Sequence, residues 1–551
     1  MMKKTLLAVA LSSSLLSATS IANDLSLGIT QFPSNLHPVI DSMTANSLIM
    51  GTAFRDMVAY NHDWQSFCML CTETPSLDNG RAEKYTREDG TLGIKLTVEL
   101  KDDLYWGDGT PITTKDVLLS HAVLTDPNVK GIPGLESNRI MEKVVALDDK
   151  TFEVYLNKAH FKYRDYVPSV LPAHLEEAIY REDPTTYDRR TLYVTQPTHP
   201  GLYNGPFRIT QISQGSFITL ERNSHWKDQA PDFNRLIFKV VENTAALEAH
   251  LLSGSVDYVP GELGFSIEQA LQFEKRHANR FTVEYAPGLL YEHLDTQMDN
   301  PHLAIREVRQ ALMYGMNREE LVNRLFEGRQ PVAHSNVHPL DVTFFDGVHQ
   351  YQYDPVKARQ LLEKAGYTLR NNVMVDKEGR PLQLELMTTA GNRSRELVQQ
   401  VLQSQWRQIG VRVQINNQPA RVFFGETLNQ RKHQALAMFA WASAPESPPL
   451  TTLHSAQIPS AQNSWAGQNY IGYNNPDMDV LLEKIEVELD DEARHQLFHK
   501  MQSLYAEDLP ALPLYFRSDS YVMPKWLKGV RPTGHKYPST LWVEEWRKDG
   551  A

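Results

Sequence analysis

The chain has 551 residues, 41% of them hydrophobic and 22% charged, with 31 prolines and 29 glycines. That composition excludes a disordered chain, and the length, too great for one hydrophobic core, points to about three or four folding units. A net charge of −12, from 55 Lys+Arg against 67 Asp+Glu, argues against a general nucleic-acid binder.

The N-terminus reads as an export signal. Lys3 and Lys4 form a basic start, residues 5–19 are apolar or small, and Ser20-Ile21-Ala22 supplies small residues at the −3 and −1 positions. Cleavage after Ala22, with no cysteine at the cut to carry lipid, is expected to leave a protein free in a bacterial periplasm. The only two cysteines, Cys68 and Cys71, stand in a Cys-Met-Leu-Cys run that reads as a loop. A redox pair would sit at a helix N-terminus after a strand, and a zinc site would need further ligands. A local disulfide in an oxidising compartment is the expectation, and a redox role for the pair is the alternative.

Further along, Ile94, Leu96, Val98 and Leu100 alternate as in a half-buried strand. The turn Trp106-Gly107-Asp108-Gly109-Thr110-Pro111 follows, and Thr113 with Asp116 caps a helix. Residues 207–212 and 217–220 form a hairpin across Ser213-Gln214-Gly215, and 236–241 is another strand. From about residue 300 the pattern turns helical, with starts at Asn317, Asp354-Pro355, Asn475-Pro476 and Asp490, and residues 512–516 close the region as a strand. Mixed strands and helices without internal repeats predict an α/β protein of more than one lobe.

Catalytic motifs are missing. There is no P-loop, GxGxxG, GxSxG or HExxH pattern, and His334 and His338, four apart, are separated by Ser335-Asn336 and followed by Pro339, unlike a helical ligand pair. No cofactor, no metal and no enzymatic activity are expected.

A set of ordered segments carries a resemblance. Trp106-Gly107-Asp108-Gly109-Thr110-Pro111 through Val117, Leu171-Pro172-Ala173-His174, Asn204-Gly205-Pro206-Phe207 with Leu220-Glu221-Arg222-Asn223, and Leu252-Ser253-Gly254-Ser255-Val256-Asp257 are followed by Val308-Arg309-Gln310-Ala311-Leu312 with Asn317-Arg318-Glu319. Tyr353-Asp354-Pro355, Gly472-Tyr473-Asn474-Asn475-Pro476 and Leu512-Pro513-Leu514-Tyr515 complete the set. The chain resembles the family 5 extracellular solute-binding proteins, the oligopeptide, dipeptide and nickel receptors of ABC importers. The resemblance implies a two-lobed periplasmic-binding-protein fold that closes around a hinge, with an additional inserted domain. By analogy, residues 23–52, 195–285 and 516–551 make lobe I, 53–194 the inserted domain, and 286–515 lobe II. The hinge is expected near Leu289-Leu290-Tyr291 and Leu514-Tyr515-Phe516. A monomer that captures peptides and delivers them to an inner-membrane permease follows.

A receptor for many peptides must bind what all peptides share: the backbone, met like an added strand, and the charged termini. The family's early contact strand matches Thr30-Gln31-Phe32. Its ammonium-binding Asp stands three residues after a Trp; here the Trp is Trp441 and the Asp position is Ala444, so the carboxylate is missing. Glu446 replacing it, a ligand with a differently held N-terminus, or a non-peptide ligand such as a metal chelate, sugar or opine are the three readings. Ser443 belongs to the same segment, and Arg421 and Phe424 lie on the same approach and are candidates to meet a ligand carboxylate or side chain.

Overall fold

The computed structural model describes residues 23–549 except 41, 42, 134, 242 and 464; the expected export signal lies outside the described residues. Three larger sheets organise the chain. The first orders Asp24–Ile29, Arg235–Val240, Phe217–Arg222 and Phe207–Ser213, its first pair parallel and the others antiparallel. The second, antiparallel throughout, orders Ala82–Thr86, Leu92–Glu99, Thr151–Leu156 and Met141–Ala146. The third has five strands: Arg412–Ile415, Gln383–Met387, Leu436–Ala442, Phe281–Thr296 and Ala511–Pro524. With helices packed between and upon these sheets, the architecture is α/β in two lobes.

Local sequence explains much of this. Ile94, Leu96 and Val98 are fully buried while the residues between them are half-exposed, the alternation of a strand with one wet face. Thr113 and Asp116 form a reciprocal capping box at the start of helix Thr114–Thr125. Asp116 also accepts from the Trp106 indole at 3.2 Å and from the Ala173 backbone N–H at 2.9 Å. The Trp-Gly-Asp-Gly-Thr-Pro turn therefore fastens three chain segments together. Gly109 sits at φ +91°, and a side chain at Gly107 would meet the Pro200 carbonyl oxygen at 2.6 Å, so both positions require glycine. Asp354 accepts from the Val356 and Lys357 N–H groups ahead of helix Pro355–Lys364. At Asn317 the cap differs in detail: Glu320 reaches the Asn317 side chain at 3.0 Å, while the Asn317 backbone N–H donates to Gln405.

One core runs through both of the first two sheets, joining Leu25, Leu27 and Phe238 to Leu96, Phe152 and Leu156. A separate core fills the space around the third sheet, with Leu294, Leu312, Leu386, Leu402, Trp406 and Leu512. The strands Phe281–Thr296 and Ala511–Pro524 join the two halves. They pair antiparallel in two runs, 281–287 against 518–524 and 291–295 against 511–516, with a register shift between Pro287 and Tyr291. The first run packs on Phe265, Phe273 and Val259, the second on the third-sheet core.

The sequence reading places a strand only over 512–516, short of the polar run Arg517-Ser518-Asp519-Ser520. The strand continues to Pro524 since these polar groups find partners: Arg517 meets Glu292, the Ser518 hydroxyl donates to Arg329 O at 2.6 Å, and the Ser520 hydroxyl to Phe265 O at 3.1 Å. Glu292, fully buried, also receives Arg395 Nη2 at 3.0 Å. Burial alone would raise its pKa, but Arg517 and Arg395 outweigh that and hold it below the usual carboxylate range.

Candidate ligand cavity

In the third sheet, Leu436–Ala442 runs antiparallel to 290–296, setting Trp441 opposite Tyr291, Phe439 opposite His293 and Ala437 opposite Asp295. The two-residue period of a strand turns Tyr291, His293 and Asp295 to one face and Glu292 to the other. The first three line a cavity of about 150 Å³ together with Trp441, Ser443 and Ala444, closed by residues from 336–343 and 447–453. Trp441 packs edge-on to Phe439 at 5.3 Å and stacks on Tyr470 at 5.8 Å. The Tyr291 and Tyr505 hydroxyls stand 2.9 Å apart, and the Ser443 N–H donates to Leu289 O at 3.1 Å.

The charged and titratable groups of this lining are acids, histidines and tyrosines, with no Lys or Arg. His293 and Asp295 are 1% and 2% exposed, with His293 Nε2 3.0 Å from Asp295 Oδ1. Asp341 accepts from Thr343 N and Oγ1 on one oxygen and from Glu446 N, at 2.8 Å, on the other. Burial lowers the His338 pKa to about 4, so its ring is neutral, packed against Phe516 at 4.6 Å and Trp64 at 5.0 Å. His334 lies elsewhere, beside Arg318. Among the described residues no group of three or more His, Cys, Asp or Glu is placed to hold a metal ion.

Trp441, Ser443 and Ala444 thus share one cavity; Gln31, Phe32, Arg421, Phe424 and Glu446 do not line it. The Glu446 carboxylate receives Arg494 Nη2 at 3.0 Å, and Arg494, 3% exposed, also holds Asp491 at 2.8 Å. Glu446 is therefore engaged in an ion-pair network; swinging it toward Ala444 would deprive a buried guanidinium of one of its two carboxylates. The first strand ends at Ile29, so Thr30, Gln31 and Phe32 continue as irregular chain: the Thr30 hydroxyl donates to Leu263 O, Gln31 is exposed, and Phe32 leans on the large core. Arg421 is exposed in the turn Ala420–Val422, and Phe424 is 43% exposed against Phe439. Tyr291 was expected at the hinge and not in the ligand site, and His293, Asp295 and Asp341 belong to no motif read from the sequence; the signal available was the alternation Tyr-x-His-x-Asp in one strand.

A rim from the 53–194 region meets the loop after Ala444. Lys162 donates to Pro445 O at 2.8 Å, Phe161 N to Glu486 O at 3.1 Å, and Arg164 pairs with Asp491 at 3.1 Å. Burial lowers the Lys162 pKa, with Asp165, Glu446 and Asp341 acting the other way. A second cavity, about 480 Å³, lies beside Cys68, but its most buried charge, Arg55, is paired with Glu544 at 2.6 Å. Cys68 ends a short strand, Ser66–Cys68, paired with Val58–Tyr60, and stands close to Cys71, with Cα atoms 5.2 Å apart. The pair is not at a helix N-terminus.

The family model of the bacterial extracellular solute-binding proteins, family 5 (middle), matches residues 79–461, and the chain belongs to that family. It is 25% identical over 495 residues to the oligopeptide-binding protein AppA of Bacillus subtilis, covering 87% of this chain and 85% of that one. It is 24% identical to the periplasmic oligopeptide-binding protein OppA of Salmonella typhimurium, covering 84% of each chain. Among solved structures, the oligopeptide-binding protein of Thermus thermophilus, complexed with a pentapeptide, superposes with a TM-score of 0.66 at 28% identity, covering 95% of this chain and 96% of that one. Members of this family are solute-binding proteins. Among the described residues no helix is long and apolar enough to cross a membrane.

Proposed function

We propose that the protein is a periplasmic receptor that captures peptides between two lobes and presents them to an ABC import permease. The observation that carries the reading is the position of the Trp441–Ala444 cavity. It lies beside the strands that join the lobes, and the rim at 160–164 reaches over to the loop bordering it. The lining itself comes from 286–515 alone, and the rim brings the 53–194 region to its border, so a ligand seated there meets the other lobe when the lobes close. The oligopeptide-binding relatives from Bacillus, Salmonella and Thermus support peptides as the solute class.

In this reading 23–52, 195–285 and 516–551 form lobe I, 53–194 is inserted into it, and 286–515 form lobe II, with the hinge at the register shift after Pro287. The mature monomer begins at Asn23, free of lipid, and keeps Cys68 and Cys71 oxidised. The test is to strip captured ligand by unfolding, refold, and add a peptide mixture. Peptide that binds the closed form raises the melting temperature and compacts the protein in small-angle scattering. Peptides that leave both unchanged, while a non-peptide solute shifts them, would overturn the peptide assignment.

A further inference from the structure

The lobe II cavity holds a buried acid, Asp295, and no Lys or Arg lines it. Asp295 is 2% exposed, with the His293 ring beside it. His293 Nδ1 lies 3.1 Å from Tyr291 O, a carbonyl that can only accept, so Nδ1 carries the proton. Its Nε2 faces Asp295 Oδ1 at 3.0 Å outside hydrogen-bond geometry. Asn336 Oδ1, also buried and without a donor, lines the same space. His433, which faces Asp295 from the adjoining loop, has its pKa lowered to about 4 by burial and brings no charge.

We infer that this cavity takes the cationic end of a long basic side chain of the ligand, lysine or arginine, with Asp295 as its counter-charge. The inference rests on the peptide-receptor reading. Depth selects the side chain over a terminal ammonium. Tyr291 stands opposite Trp441, and Asp295 lies four residues further along the strand, about 13 Å at a strand's rise per residue. An ammonium held beside Ala444 stops short of it, whereas a flexible stem extends toward it. Val337, Leu453 and Ile471 line the way and suit the methylenes of such a stem. The volume, about 150 Å³, is on the order of ten times what a single water needs.

The test uses the full chain, stripped and refolded, in calorimetry with alanine peptides in which one lysine is moved through every position. Each has a norleucine and an Nε-acetyllysine counterpart, and each is made with free and acetylated N-termini. At one position lysine should bind at least tenfold tighter than both neutral analogues, and Asp295→Asn should bring that ratio to within twofold. If that variant does not fold, the wild-type ratios decide alone. Equal affinity for lysine and its neutral analogues at every position overturns the inference, as does a preference that follows only the N-terminal charge. Cadaverine and free arginine separate the two readings. If they bind in an Asp295-dependent way while no peptide does, the cation pocket stands and the peptide assignment falls; if neither they nor peptides bind, both fall.

Discussion

The paired strands Phe281–Thr296 and Ala511–Pro524 and the rim at 160–164 both connect the same two halves, but they are made differently. The strands are continuous backbone rooted in two cores, and beside the register shift they bury Glu292 between Arg395 and Arg517. The rim is a handful of contacts between segments hundreds of residues apart: Lys162 on Pro445 O, Arg164 on Asp491 and His160 near Glu486. Buried, fully partnered charge is expensive to disrupt, whereas partly exposed pairs hold with about 0–1 kcal/mol each. One joint is therefore suited to persist through opening and closing, and the other to be made and broken.

The largest expected effect tests the persistent joint. Glu292→Gln strands two guanidinium groups and should lower unfolding stability by about 3–5 kcal/mol in urea titration. A loss below about 1 kcal/mol would mean that the strands hold without the charge cluster.

A second measurement probes the lobe I side of the same joint, where Glu262 packs against Tyr521. Burial raises the Glu262 pKa from 4.5 to about 7. The folded state thus holds a proton that the unfolded state releases. Its contribution is fully present below about pH 4.5 and is lost as pH rises through 7, up to about 3 kcal/mol. Glu262→Gln should therefore gain on wild type between pH 4.5 and pH 8 in thermal melts; a constant difference across that range would refute the assignment.

Away from both joints, replacing Cys68 and Cys71 with serine reopens a very short loop. It should cost about 2 kcal/mol by loop-closure entropy without altering peptide affinity. A change in affinity would couple the 68–71 corner to the ligand site.

The smallest stability effect, and the one most telling for the comparison, belongs to the rim. Lys162→Met with Arg164→Ala should change stability by less than about 1 kcal/mol yet enlarge the radius of gyration of the ligand-free protein. An unchanged scattering curve would show that the strand seam alone sets the angle between the lobes.

Much of the fold was legible because its signals are local. The Thr113–Asp116 box, the Asp354-Pro355 start and the alternation at 94–98 act within a few residues, and the structure carries each as the sequence suggests. Strand 511–524 was only half legible because Arg517, Ser518 and Ser520 are polar and find their partners at Glu292, Arg329 and Phe265 only in the folded chain. The site divides in the same way. Trp441, Ser443 and Ala444 were singled out through their place in a motif, while Asp295 and His293 sit in a strand whose facing depends on pairing with 436–442.

By itself the sequence determined the mixed α/β character, the caps and turns, the ordered segments that resemble the family, and the lack of a carboxylate at Ala444. Only the tertiary structure decided what stands around that gap. Glu446 is two residues from Ala444 in the chain, yet its carboxylate is held by Arg494, 48 residues further on. Asp295 is 149 residues before Ala444 in the sequence, yet it lines the same cavity. Caps and periodicity are set by backbone geometry over a turn or two, whereas the partner of a buried charge is set by which distant segments pack together.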